Sequence, residues 1–374
     1  MNIIIVTSPT GGHFYPAIEI SKKIANFVNR IIFIVQKQKN QNFIEIIKKE
    51  LKNLEKINIE YINTAKFIRQ NPLSLIKSLL FFIISSAKII YILLKFKPKL
   101  IFSTGGYTSF PVVVLTKILF PTTYILIHEQ NCVLSLSNKF LSFIASKVFT
   151  GFDIKKKSKK FIFTGNPIRE SFLKNLNRSD IYKKLGLKEN FTLLIFGGSQ
   201  GATSINNAFI KIIKKHPEKF KNTQILHITG FRDFEKLKKE YEEISIINAK
   251  VFPYYEDMQE IYTISDLIIS RAGAMTITEL IYFKKPAILI PLPTAAELHQ
   301  NQNAELLKKY NCAIVIYQRN NWEEKFMKVL FELLERKELI EKLSKNYELI
   351  PHPPTTIERE IKNILYKQIC KKKI

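Results

Sequence analysis

Cysteine is scarce: three residues in a chain of 374, Cys132, Cys312 and Cys370, lie far apart. That spacing excludes a disulfide framework and a paired-cysteine zinc site. Arginine is scarce too. Only nine of the 58 basic residues are Arg, which argues against reading of DNA bases, a task that leans on bidentate guanidinium groups. Acidic residues number 32, leaving a formal charge of +26 that calls for an anionic partner without choosing among nucleic acid, membrane surface and small anion. The chain is also rich in Ile, Asn and Phe, so part of the charge reads as a compositional bias of the source. The 12 Gly and 15 Pro are thinly spread, which excludes a fibrous or low-complexity protein, and 46% apolar with 24% charged residues is globular composition. A long uncharged apolar run is missing as well. Leu73–Leu94 comes nearest, but Lys77 and Lys88 leave only about ten uncharged residues between them, half of what a membrane span needs. Met1–Val6 runs into a strand-like segment with no basic region before it, so no signal peptide is expected and a reducing cytoplasm is.

What is present is alternation. Short apolar runs at Ile3–Val6, Ile31–Val35, Leu100–Ser103, Tyr124–Ile127 and Val148–Thr150 read as buried parallel strands between helices. A second series follows at Phe191–Phe196, Gln224–Ile228, Ala249–Phe252, Leu267–Ile269, Ala287–Ile290 and Ala313–Ile316. Two series predict an α/β protein of two doubly wound parallel-sheet domains, residues 1–165 and 191–350, joined by a polar linker at 166–190. Residues 351–374 are expected to form a helix returning toward the N-terminal domain. Leu73–Leu94 reads either as a core helix or as one with an apolar, Lys-rimmed face on an anionic membrane, with Leu75, Ile76, Lys77, Leu79 and Leu80 on that face.

Ligands of such sheets bind beyond the carboxyl ends of the strands, so the loops there are where chemistry is expected. They hold Thr10-Gly11-Gly12-His13, Gly105-Gly106-Tyr107-Thr108-Ser109, His128-Glu129-Gln130-Asn131, Gly197-Gly198-Ser199-Gln200-Gly201-Ala202, Arg271-Ala272-Gly273-Ala274-Met275-Thr276 with Glu279, and His299-Gln300 with Asn303. Glycine lets backbone approach a ligand closely, and a helix start offers free N–H groups to an anion. Gly197–Gly201 fits the nucleophile elbow of hydrolases, and His128–Cys132 nearly fits a helical zinc motif. Both are single short patterns, and Ser199 serves equally as a phosphate donor. No Gly-x-x-x-x-Gly-Lys-Ser/Thr occurs, which excludes a P-loop. No Asp-x-Asp occurs, so no cofactor is expected to be required, although a divalent cation is possible.

Taken in order over about residues 3–310, these blocks, with Asn138-Lys139, Gly165-Asn166-Pro167-Ile168-Arg169 and Asn303-Ala304, resemble the MurG family. One departure is Ser8-Pro9, where the family usually has two further glycines. The resemblance implies a GT-B fold of two Rossmann-like domains facing a cleft. It further implies an inverting transfer of N-acetylglucosamine from UDP-N-acetylglucosamine to the 4-hydroxyl of the muramoyl sugar of lipid I, giving lipid II for peptidoglycan. On the family's pattern, the donor is met by Thr10, Gly11, Gly12, Asn131, Arg169, Ser199, Tyr255, Ala274, Met275, Thr276, Ile277, Thr278, Glu279 and Gln300. Gln200, Asn206 and His299 are weaker additions, and Gly105, Gly106, Tyr107 and Glu129 lie on the acceptor side. His13 is the candidate general base, imidazole titrating near the working pH; positioning of the acceptor is the competing role. The enzyme would sit peripherally on the cytoplasmic face of the inner membrane and bind no nucleic acid. Rival readings are another GT-B enzyme, such as a glycolipid glycosyltransferase or UDP-sugar epimerase, and a basic nucleic-acid binder.

Overall fold

A computed structural model describes residues 1–37, 49–51, 55–63, 72–198, 201–244, 248–295 and 298–370, except the side chains of 72–82 and 368–370. The chain divides into two compact units, Met1–Pro167 with His352–Ile374, and Ile168–Pro351.

The first unit carries a seven-stranded sheet: β1 (Asn2–Thr7), β2 (Arg30–Gln36), β3 (Ile57–Ile62), β4 (Leu100–Ser103), β5 (Tyr124–Glu129), β6 (Lys147–Thr150) and β7 (Phe161–Phe163), all parallel and ordered β3-β2-β1-β4-β5-β6-β7. Successive residues of β1 serve opposite faces. Ile3 and Ile5 join Phe14, Ala17 and Ile18 of the helix Gly11–Ile24, while Ile4 and Val6 join Ile89, Leu93, Val112 and Val113 of the helices Pro72–Phe96 and Ser109–Leu119. Both faces are covered, which is why the strand reads as an unbroken apolar run. β3 and β7 were not foreseen; they are edge strands of half-buried residues, without such a run. The C-terminal helix Ile357–Cys370 packs Ile357, Ile361 and Leu365 into the same core as the helix Gly11–Ile24.

The second unit has a six-stranded parallel sheet ordered β10-β9-β8-β11-β12-β13: β8 (Thr192–Phe196), β9 (Gln224–Ile228), β10 (Asn248–Phe252), β11 (Leu267–Ser270), β12 (Ala287–Leu289) and β13 (Ala313–Val315). Every expected strand of this series is present. The stretch expected as a linker is a correction: it holds a 3-10 turn, Glu170–Leu173, and a helix, Arg178–Leu185, capped by Asn177 and ended by Gly186 at φ 61. Phe172 and Tyr182 are buried in this unit, and Arg178 donates to the carbonyls of Thr263 and Ile264, so the polar residues there cover an apolar seam. Among the described residues no helix is long and apolar enough to cross a membrane.

In each sheet the chain leaves the central strand in one direction and later returns to build in the other. The switch points lie between β1 and β4 and between β8 and β11, where the crevice for a ligand opens at the carboxyl ends.

Candidate functional site

At the first switch point, β1 runs through Ser8-Pro9 into the helix Gly11–Ile24, whose first turn is closed by His13 N–H and Phe14 N–H on the Thr10 carbonyl at 3.0 and 2.9 Å. Across the crevice, β4 ends in Thr104-Gly105-Gly106. His13 Nδ1 lies 2.7 Å from the Thr104 carbonyl oxygen. A carbonyl only accepts, so Nδ1 carries a proton, and in the neutral ring Nε2 carries the lone pair. The same carbonyl accepts from Gln130 Nε2 at 3.0 Å. Thr104 Oγ1 donates to Thr7 Oγ1 at 2.8 Å, and Ser8 Oγ donates to the Gly105 carbonyl at 3.2 Å. Both glycines are obligatory. They sit at φ +87 and +82, and a Cβ would fall 2.5 Å from Asn138 Oδ1 at Gly105 and 2.1 Å from Ser8 Oγ at Gly106. Ser8, the departure from the family's glycine-rich start, therefore fills the space that Gly106 leaves. Tyr107 donates to Gln36, and burial raises its phenol pKa.

Beside it, β5 delivers two buried residues. Glu129 Oε1 accepts from the Asn131 backbone N–H at 3.0 Å and Asn131 Nδ2 at 2.9 Å; Oε2 accepts from the Ser135 N–H at 2.8 Å and Asn138 Nδ2 at 2.9 Å. Four donors shape the loop and occupy the carboxylate, so Glu129 orders the edge from beneath. His128 stacks on Phe102, and burial, followed by neighbouring His13, drives its pKa down to about 3, so this imidazole stays neutral.

At the second switch point, glycine is again a matter of space. A Cβ on Gly197 would fall 2.2 Å from the Ala202 nitrogen, and one on Gly201, at φ +73, 2.3 Å from the Thr229 carbonyl. This turn opens the helix Thr203–Lys215. Opposite, Arg271 is buried at the end of β11. Its guanidinium donates to the carbonyls of Ile290 and Pro291 and to Gln318 Oε1 at 2.9, 3.0 and 2.7 Å, and to Ser204 Oγ at 2.9 Å. None of these bonds goes to a carboxylate. Burial lowers its pKa to about 10, so it is still a cation at neutral pH. The helix Ala274–Phe283 starts at Gly273, and Asn303 Nδ2 braces that start through the Ala272 carbonyl at 3.1 Å. Glu279, one turn in, receives Tyr262 OH at 2.8 Å and Arg169 at 3.4 Å; burial raises its pKa against the pull of Arg169, which lies over the Phe172 ring.

Residues 3–150 match the model of the glycosyltransferase family 28 N-terminal domain, and residues 192–353 that of the family 28 C-terminal domain. The UDP-N-acetylglucosamine--N-acetylmuramyl-(pentapeptide) pyrophosphoryl-undecaprenol N-acetylglucosamine transferase of Elusimicrobium minutum is 34% identical, over 96% of this chain and 97% of its own. The enzyme of the same name from Bacillus pumilus is 33% identical, over 97% and 99%. The chain belongs to the MurG family. Among solved structures, Acinetobacter baumannii MurG superposes with a TM-score of 0.72 at 22% identity, covering 98% of this chain and 99% of that one. The UDP-GlcNAc 2-epimerase of Neisseria meningitidis gives 0.63 at 14% identity, covering 98% and 100%. The fold is thus the GT-B fold, shared by MurG and enzymes of other chemistry.

Set against this MurG-family frame, the predicted residues divide. Thr10, Gly11, Gly12, His13, Gly105, Gly106 and Asn131 lie together at the first edge, and among the described residues nothing outside its own helix turn comes within 4 Å of where a Gly12 Cβ would be. In the second unit, Arg169 and Glu279 are paired. Of the run Ala274–Thr278, Met275 and Thr276 have partly exposed side chains, whereas Ala274, Ile277 and Thr278 are buried and have only backbone to offer. Tyr255 donates to Glu260 at 2.7 Å, and Gln300 Oε1 accepts from the Leu292 N–H at 2.9 Å beside half-buried His299. Asn206 is fully engaged inside: Nδ2 donates to the Thr229 carbonyl and Asp233 at 2.8 Å each, and Oδ1 meets His227 Nε2 at 3.1 Å. It supports the turn beside Gly201 and has no hydrogen left for a ligand. Ser199 and Gln200 lie outside the described residues, as do the side chains of Leu75, Ile76, Lys77, Leu79 and Leu80. Sequence reasoning passed over the bracing roles of Ser8, Gln130, Tyr262 and Arg271. Their common signal is position, within a few residues of a switch-point strand end or facing one.

Proposed function

We propose that this chain moves N-acetylglucosamine from UDP-N-acetylglucosamine to the 4-hydroxyl of the lipid I muramoyl sugar, giving lipid II, by an inverting displacement in which His13 is the general base. The observation that carries the mechanism is the bond from His13 Nδ1–H to the Thr104 carbonyl. It holds a proton on Nδ1, so in the neutral ring Nε2 is the nitrogen with a lone pair, the protonation state a base needs. The hydroxyl gives its proton to Nε2 as its oxygen attacks the anomeric carbon, and UDP leaves from the opposite face. Charge growing on the diphosphate is met by backbone N–H groups at the helix start after Gly201, by Ser199 and by the nearby Arg271 cation, without a required metal. Arg169 and Glu279 hold the nucleoside, and Tyr255 reaches the uracil through its backbone. Transfer of labelled sugar to a short-chain lipid I analogue, with EDTA present, tests this. His13→Ala should lose roughly 100- to 10,000-fold in kcat with donor binding kept. Loss of donor binding instead would make His13 a positioning residue, and release of UDP with no sugar on the lipid would reject the acceptor.

The acceptor's polyprenyl tail lies in a membrane, and the first unit has a face suited to it. Three helices that cover one side of its sheet expose apolar side chains outward: Tyr91 and Leu94, Ile118 (69% exposed), and Phe140 and Phe143 (57% and 78%) on the helix Leu136–Ile144. Lys117 and Lys160 are close enough to repel each other, and Lys160 Nζ donates to the Phe143 carbonyl. An apolar surface with a lysine rim docks on an anionic cytoplasmic leaflet without crossing it. The expected docking face thus extends past the helix of Leu73–Leu94. Phe143→Ser should weaken sedimentation with phosphatidylglycerol vesicles by about tenfold, as loss of one buried aromatic predicts; unchanged binding would move docking elsewhere.

A further inference from the structure

We propose that Gln130 is a positioning residue that fixes the tautomer of His13 through the Thr104 carbonyl. Gln130 is buried, and its Nε2 lies 3.0 Å from the carbonyl oxygens of both Thr104 and His128 and 3.2 Å from His128 Nδ1. Two carbonyls face the same nitrogen, so the amide has a single workable orientation: turned over, its oxygen would point at two acceptors. Gln130 therefore delivers hydrogens, and the Thr104 carbonyl is held between Nε2 of Gln130 on one side and Nδ1–H of His13 on the other. Asn166 Nδ2 donates to the Gln130 backbone carbonyl at 3.0 Å, which anchors the residue from a third strand end.

The two imidazoles at this edge then take opposite roles. Amide nitrogen does not accept, so His128 Nδ1 carries no proton toward Gln130 and at most shares the hydrogen given to its own carbonyl, whereas His13 Nδ1 is a donor to Thr104. One glutamine thus sets the proton distribution of a buried ring and of the ring at the site. Without its hold, the Thr104 peptide can turn, His13 loses the acceptor that keeps the proton on Nδ1, and part of the population places it on Nε2, where the ring cannot accept from a hydroxyl. The tautomer itself needs no assumption about catalysis; its consequence for turnover rests on His13 being the base.

The test uses the full chain labelled with ¹⁵N-histidine, the His13 resonances being assigned by their loss in His13→Gln. The wild type should show a protonated Nδ1 and an unprotonated, strongly downfield Nε2. Gln130→Met, close in volume and without donors, should shift His13 toward a mixed or reversed pattern. It should also lower kcat on the order of tenfold, part of what a positioned base contributes, with KM for the donor unchanged. Gln130→Glu, which keeps the shape and sets a carboxylate against the two carbonyls, should act in the same direction and serves if the Met variant does not fold. An unchanged His13 spectrum in both variants, or a wild type protonated on Nε2, overturns the positioning role. An altered spectrum with full turnover, together with full turnover in His13→Gln, overturns the base assignment while leaving the tautomer lock in place.

Discussion

Both sheets reverse direction at their centre, and the two reversals are braced differently. Between β1 and β4 the contacts are short and neutral: hydroxyls of Thr7, Ser8 and Thr104, an amide and an imidazole, all bonding to one another or to backbone carbonyls. Between β8 and β11 one long cation does the work, Arg271 gathering the end of β12, Gln318 and Ser204. Hydrogen bonds among neutral groups fix the proton of a ring nitrogen with no charged group among its bonding partners named above. A buried cation whose bonds among the described residues go to neutral oxygens leaves its field available to an anion. One architecture thus carries two electrostatic designs, one suited to moving a proton and the other to holding a diphosphate.

The comparison can be broken at its charged side first. Arg271→Met strands four acceptors in a buried edge and should cost about 2–4 kcal/mol, read by chemical denaturation, with donor affinity falling alongside. If the neutral Met variant kept full donor affinity, the cation would be purely structural. Next comes the edge of the first sheet. Glu129→Gln sets an amide NH₂ against donors now satisfied by the carboxylate and should cost about 2–3 kcal/mol, read by chemical denaturation; it should slow transfer through the loop of Asn131. A smaller effect links the two halves. His128 and His227, one in each unit, are both buried and held at about 3 against an ordinary 6.5. Their folded forms refuse a proton that the unfolded chain accepts, so their stabilisation is present above pH 6.5 and lost as pH falls toward 3. Each should withdraw about 2 kcal/mol by roughly pH 5. His128→Phe and His227→Phe should each flatten the acid slope of the unfolding free energy by one proton, and equal slopes in wild type and variants would show that neither ring is held neutral.

Much of this was legible in the residues. Central strands announced themselves because both faces are buried, and the glycine loops because their backbone conformations exclude a side chain. Edge strands such as β3 and β7 were not legible, since a half-buried strand has no unbroken apolar run. The polar stretch after Asn166 looked like a linker because its Lys and Asn dominate, whereas Phe172 and Tyr182, sparse in sequence, decide its packing. The division of labour within motifs was hidden most. Gln130 and Glu129 are neighbours in one tetrapeptide, yet which of them orders a loop and which holds a carbonyl depends on atoms 26 or more residues distant in one case and two to nine in the other. Asn206 looked like a ligand contact for the same reason: its partner strand lies far along the chain.

The C-terminal helix gives the chain an order of completion. Ile357, Ile361 and Leu365 fill the core beneath the helix Gly11–Ile24, so the first unit is built from residues on both sides of the second. During synthesis the second unit, continuous from Ile168 to Pro351, has all its residues before the first does. The half that starts first is completed after the other, and the edge bearing His13 is underpinned only once the helix Ile357–Cys370 has been made.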